Sequence, residues 1–166
     1  LSWFRYTRGE LILAFGPLDP ARRIPWYGPD MSVASAVTAR LMETWAHGQD
    51  VADALGVVRE PTGRLRHVAH LGVQARAFSF EVHGLPVPAA GVRVELEPPG
   101  GGQPWTWGSA EAENTVVGTA LDFCLVVTQR KHMSRTGIKT TGPVATAWME
   151  CAQAFAGPPT TSTPER

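Results

Sequence analysis

The sequence has no excess of charge of either sign: fifteen lysines and arginines face fifteen aspartates and glutamates in 166 residues. That balance removes the electrostatic footprint that sequence-independent binding to nucleic acid or to an anionic membrane requires, so neither partner is expected. Long hydrophobic runs are missing too. The most apolar stretches, such as that from Leu121 to Val127, fall far short of the roughly 20 residues of a bilayer span. The opening residues lack a signal-peptide pattern, which points to a cytoplasmic protein. Cysteine is scarce: Cys124 and Cys151 sit in separate apolar segments, without the spacing of a zinc ribbon or a redox pair, and are expected as reduced, buried thiols. What is present is 43% hydrophobic residues with 17 glycines and 14 prolines, the composition of a compact, loop-rich protein rather than a coiled coil, a collagen or a disordered chain. The chain starts Leu1-Ser2-Trp3 rather than with Met and already reads as mid-helix, the expectation for a fragment.

Residues 1 to 15 mix Trp3, Phe4, Leu11, Ile12 and Phe15 with Arg5, Arg8 and Glu10, an amphipathic helix stopped at Gly16-Pro17. The Pro-rich stretch up to Met31 predicts an ordered connector, with Trp26 and Tyr27 pinning it to the core. Ser32 is a natural N-cap, and the proline-free run to Gly56 predicts a long helix with glycine at its stop. After a turn at Glu60-Pro61-Thr62-Gly63, a second long helix is expected from about Leu65 to Val82. The texture then changes. Alternation over Val92 to Glu97, the PPGGG run and Trp105-Thr106-Trp107 predict strands joined by a hairpin loop. Further expectations are an apolar helix over 119 to 130, a short strand over Gly137 to Thr141, a helix from Pro143 to Phe155 and a disordered tail over 157 to 166.

The Ser32 helix carries the chemistry. At about 100° per residue, Val33, Val37, Thr44, Val51 and Leu55 form what reads as the inward arc, with Thr38, Met42, Gln49 and Asp53 opposite. Arg40, Glu43, His47 and Asp50 fall together beside the apolar stripe, within an arc of roughly 80°. Glu43 and His47 are one turn apart, so a carboxylate and an imidazole nitrogen can converge on one divalent ion. The same spacing also suits a surface ladder of i,i+3 and i,i+4 pairs, each contributing about 0.2 to 0.5 kcal/mol. Spacing alone leaves both readings open. His67 and His70 have no carboxylate or cysteine at ligand spacing, and His83 and His132 sit at ordinary helix-end and loop positions. The six tryptophans are dispersed, as anchors of core and loops rather than a stacking platform.

The run from Pro25 to Gly56, PWYGPDMSVASAVTARLMETWAHGQDVADALG, resembles the last bundle helix of the DinB-like metal-binding proteins, in particular the actinobacterial branch related to mycothiol-dependent maleylpyruvate isomerase. Residues 66 to 156, with Leu121 to Arg130 and Gly137 to Gly142 as their clearest marks, resemble the sterol-carrier-like domain that follows. The resemblance implies an α+β protein: the C-terminal half of a four-helix bundle over 1–58, a small α+β domain with a mostly antiparallel sheet over 59–156, and the tail. It implies that Glu43 and His47 ligate a divalent metal, usually zinc, with a further histidine from an earlier helix outside these residues. Arg40 or Asp50 would orient the ligands from behind. The isomerases carry Gly-Arg where this chain has Gln129-Arg130, and Arg130 becomes a candidate clamp for a substrate carboxylate, its alternative being a cation that answers the helix dipole. The implied partners are a small-molecule substrate and mycothiol or a similar thiol, whose sulfur the metal activates, in a cleft between the two parts. A non-catalytic metal- or small-ligand-binding module is the alternative, and a homodimer is expected to restore the half bundle. This branch also carries a domain name tied to wyosine base formation in tRNA, which the charge balance argues against.

Overall fold

The computed structural model describes residues 1–26 and 30–159; Tyr27 and the end of the expected tail lie outside them. The first helix, α1 (Ser2–Phe15), buries none of its residues. Two short antiparallel strands follow, β1 (Arg23–Ile24) and β2 (Met31–Ser32), within the Pro-rich connector. Trp26 is partly buried, as an anchor of that connector should be.

Helix α2 (Val33–Ala54) starts where a cap predicts it: Ser32 is extended, and its side chain accepts from the Ser35 N–H at 3.1 Å. Its end is a Schellman motif. The Val57 N–H reaches the Ala52 carbonyl at 2.8 Å and the Gly56 N–H reaches that of Asp53 at 3.1 Å, a geometry that needs the left-handed φ of +65° at Gly56. The buried side of α2 corrects the wheel drawn from the valines everywhere but at Val33, which is buried as expected. Val37, Val51 and Leu55 are 49%, 60% and 72% exposed, whereas Ala36, Ala39, Met42 and Ala46 are buried. Met42 therefore faces the core, not the solvent, and small alanines let α2 lie close against α3.

The expected helix over 65 to 82 is two helices, α3 (Leu65–Gln74) and α4 (Arg76–Val82), separated at Ala75, whose φ of −80° and ψ of 6° leave the helical basin. The two pack against different partners: α3 lies on α2 and α5, and α4 on α6. At the closest approach a Cβ on Gly72 would stand 2.8 Å from a Val127 methyl, so glycine is required there.

The sheet has order β4-β3-β5-β6, formed by β3 (Val92–Glu97), β4 (Trp105–Trp107), β5 (Asn114–Thr119) and β6 (Lys139–Thr141). Its outer pairings are antiparallel and the central one, β3 with β5, is parallel. β5 is a strand that the alternation pattern did not single out. Val92, Val94, Leu96 and Val116 point into the core, while Arg93, Glu95 and Val117 take the other face.

Helix α5 (Ala120–Val127) is capped by Thr119, which accepts from the Asp122 N–H at 3.0 Å. It ends earlier than expected, in a second Schellman motif: Gln129 N–H to Val126 carbonyl at 2.9 Å and Arg130 N–H to Leu125 carbonyl at 2.8 Å. Gln129 takes the left-handed place at φ 59°, the position where the resembling isomerases carry glycine. Helix α6 (Pro143–Cys151) has Pro143 in its first turn, and the Asn114 side chain of β5 caps it by accepting from the Val144 N–H at 3.0 Å. It stops at Cys151 because the next amide groups are taken elsewhere: Gln153 N–H by Ser79 Oγ at 3.0 Å and Ala154 N–H by the Val127 carbonyl at 2.8 Å.

The core gathers Met42, Leu65, Val68, Phe80, Val94, Leu96, Phe123, Trp148 and Met149 between helices and sheet, so one side of α2 shares the core of the α+β part. Phe123 and Trp148 meet edge to face, their centroids 5.9 Å apart. Cys124 and Cys151 are free and buried as expected. Among the tryptophans, Trp3 departs from the anchor role: it is 77% exposed on α1.

Candidate metal-ligand pair on the second helix

Three of the four flank residues of α2 converge. His47 Nε2 lies 3.3 Å from Glu43 Oε2, and His47 Nδ1 lies 3.2 Å from Asp50 Oδ2. The i,i+4 and i,i+3 spacing of an ideal helix is enough to produce both contacts. Arg40 stands apart, exposed and making none of these contacts.

Arg130 arrives from the far end of α5. Its Nε and Nη2 donate to Asp50 Oδ1 and Oδ2 at 3.1 and 2.8 Å, and its Nη1 donates to the Thr128 carbonyl at 2.5 Å. The Schellman turn produces this geometry by swinging the chain back over the helix end. Arg130 thus satisfies a last-turn carbonyl, as the helix-end reading has it, and its two-point grip falls on a carboxylate of the protein itself. The carboxylate in its fork is Asp50. A guanidinium has five N–H donors, and three are used here, which leaves one each on Nη1 and Nη2.

Burial is graded along this chain of four residues. The Arg130 side chain is only 16% exposed, Glu43 and Asp50 are near half, and His47 is 71% exposed. The Arg130 hydrogen bond, aided by His47, holds the Asp50 carboxyl below its ordinary value. Asp50 is therefore ionised at neutral pH.

The Glu43–His47 separation suits a shared ion. Two donors about 2.1 Å from one tetrahedral ion lie about 3.4 Å apart, against 3.3 Å here. Both donor types are ordinary zinc ligands. Among the described residues no three of His, Cys, Asp and Glu are grouped to hold a metal ion; Asp50 sits behind the imidazole, on Nδ1. The remaining histidines are engaged locally or lie on the surface. His70 Nδ1 accepts from the Trp107 indole at 3.2 Å, His83 pairs with the Ser79 carbonyl at 2.8 Å and His132 with Ser134 Oγ at 2.8 Å, while His67 is exposed. A depression of about 280 Å³ near Gly91, Ser109 and Asn114 includes none of the site residues.

Residues 1–52, which hold the Glu43–His47–Asp50 run, match the family model described as the mycothiol maleylpyruvate isomerase N-terminal domain. Over these residues, about a third of the chain, it is similar to that domain. Two uncharacterized proteins of Mycobacterium tuberculosis, from strains CDC 1551 / Oshkosh and ATCC 25618 / H37Rv, are similar to it. Each is 50% identical over 159 residues, covering 96% of this chain and 62% of its own length. The chain thus spans about three fifths of the length of these relatives. No solved structure matches it. Among the described residues no helix is long and apolar enough to cross a membrane.

Sequence reasoning found Glu43, His47, Asp50 and Arg130 one by one but not the bond that joins them. Asp50 and Arg130 lie 80 residues apart, and nothing local in either segment names the other as partner.

Proposed function

We propose that the protein is a metal-binding member of the mycothiol maleylpyruvate isomerase-related family, of the thiol-dependent isomerase or transferase type, acting on a small carboxylate substrate. The α2 segment is read as part of a DinB-like bundle ending near residue 58, and residues 59–156 as a sterol-carrier-like α+β domain. The observation that carries the reading is the Glu43–His47 pair at 3.3 Å inside the segment that matches the mycothiol maleylpyruvate isomerase model.

Glu43 Oε2 and His47 Nε2 would hold the divalent ion, zinc by donor chemistry, with further donors from outside the pair. A bound ion of this kind stabilises a thiolate over a thiol at neutral pH, the chemistry a mycothiol-like cofactor needs. Asp50 would accept a hydrogen bond from Nδ1–H of His47 and so leave Nε2 unprotonated and free to ligate. Arg130 offers the free N–H groups of Nη1 and Nη2 to a substrate carboxylate while its other edge stays on Asp50. A cytoplasmic setting follows from the thiol chemistry proposed.

The test is metal content. Glu43→Ala and His47→Ala are each expected to lower zinc bound, measured by elemental analysis after equilibration with a zinc buffer, by more than tenfold. Zinc uptake unchanged in both variants would return the four residues to a surface ion-pair ladder. The second reading, a module that binds metal or a small ligand without turnover, draws on the way every member of the chain is paired with another. Zinc binding with no thiol-dependent consumption of any carboxylate substrate would favour it.

A further inference from the structure

Asp50 Oδ2 has two claimants, His47 Nδ1 at 3.2 Å and Arg130 Nη2 at 2.8 Å, while Asp50 Oδ1 receives Arg130 Nε, at 3.1 Å. The carboxylate is thus held from one side by a largely buried guanidinium, and that guanidinium is itself tied to the Thr128 carbonyl. Glu43 faces the other imidazole nitrogen, and among the described residues no such anchor stands behind it. A neutral imidazole has one N–H to give, and two carboxylates compete for it. The one fixed in place costs less conformational freedom to use.

From this arrangement we infer that Arg130 acts on His47 at second hand, as a positioning residue: by fixing the Asp50 carboxylate it selects the Nδ1–H tautomer and turns the Nε2 lone pair toward Glu43. The end of α5 thereby prepares a ligand on α2. The inference rests on the reading of Glu43 and His47 as the donor pair. It goes beyond that reading in making ligand orientation depend on a residue that touches neither donor.

The arrangement has a reason in physical chemistry. A histidine on an exposed helix face samples both tautomers and several ring orientations, and a ligand oriented from behind binds metal about 10- to 100-fold more tightly. Asp50 alone, near half exposed on the same helix, would wander with its own rotamers. Two-point attachment to Arg130 removes that freedom.

The experiment is nitrogen-15 NMR of the His47 ring in the metal-free protein, at a pH high enough for the neutral imidazole, with zinc titrations run in parallel. Wild type should show an unprotonated Nε2 and a protonated Nδ1. Asp50→Ala and Arg130→Ala should both shift the ring toward the Nε2–H tautomer and weaken zinc binding by about tenfold or more. Asp50→Asn, which keeps one acceptor oxygen but loses the two-point grip of Arg130, should shift the ring less than Asp50→Ala. In the double variant Asp50→Ala/Arg130→Ala the loss should be no larger than in Asp50→Ala alone, since one residue works through the other. An Nε2–H tautomer in wild type, or an Arg130→Ala ring identical to wild type, would overturn the inference. Zinc that fails to perturb His47 Nε2 in wild type is a separate outcome: it sinks the donor-pair reading while the tautomer result still stands or falls by itself.

Discussion

Asp50 and Cys124 show how surroundings set a residue's response to pH. The Asp50 carboxyl is held below its ordinary range, chiefly by its hydrogen bond from Arg130. A lowered folded-state value stabilises the fold above the unfolded aspartate value of about 3.9, and that contribution is lost as pH falls through the folded value. Asp50→Asn should therefore be less stable than wild type at neutral pH, by no more than about 1 kcal/mol because the pair is partly exposed. The gap should narrow as pH falls below the unfolded aspartate value of about 3.9 and on through the lower folded value, in thermal melts. A gap independent of pH would mean that the charge of Asp50 does not contribute. Cys124 runs the other way. Burial pushes its thiol far up and does the same, less strongly, to Cys151. An unfolded thiol ionises near about 8.5, so stability should fall as pH rises above that point, where only the unfolded chain releases the proton. Both thiols should resist Ellman's reagent in the native protein and react in denaturant; prompt reaction without denaturant would contradict their burial.

Among the elements, α2 is where sequence and structure differ most instructively. Hydropathy puts weight on Val37, Val51 and Leu55, yet the helix buries Ala36, Ala39, Met42 and Ala46. Alanine carries little hydrophobic signal, but it is the residue that lets α2 approach α3 closely, so the contact face was written in side-chain size rather than in hydropathy. Met42→Ala should cost about 2 to 5 kcal/mol as a buried large-to-small change, and Val51→Ala less than about 1 kcal/mol. Equal costs in denaturant titrations would restore the valine face. The caps at Ser32, Gly56 and Pro143 were legible because their rules are local: each sits where the backbone needs it. The break at Ala75 was not, since no glycine or proline marks it and the cause is that α3 and α4 pack on different partners. β5 escaped for a similar reason. NTVVGT alternates weakly, and it is a strand because β3 and β6 flank it. For the site, the Glu43–His47 spacing follows from one helix and could be read directly, whereas the Asp50–Arg130 fork depends on how α5 ends against α2.

At the scale of the whole molecule, the apolar surface is unevenly finished. The core between α2, α3, α5, α6 and the sheet is closed, but α1 buries nothing, and Trp3, Phe4, Tyr6, Ile12 and Leu13 are each more than half exposed on it. These side chains point to several sides of the helix, a pattern that soluble proteins keep for helices covered by other helices. Val37, Val51 and Leu55 extend the exposed apolar surface along α2. At about 25 cal/mol per Å², covering even a few hundred Å² of it contributes several kcal/mol, enough to favour association of this chain in isolation. Light scattering should show dimers or larger species whose proportion rises with concentration. Trp3→Glu combined with Ile12→Lys should shift the population toward monomer without lowering the melting temperature, because neither side chain belongs to the core. The paired change separates two causes of association. If exposed α1 surface drives it, the double variant disperses; if partial unfolding of the α+β core drives it, the variant aggregates as before and the closed core must be less stable than its packing implies. A wild-type chain that stays monomeric at high concentration would show that α1 folds back over its own apolar side chains in solution.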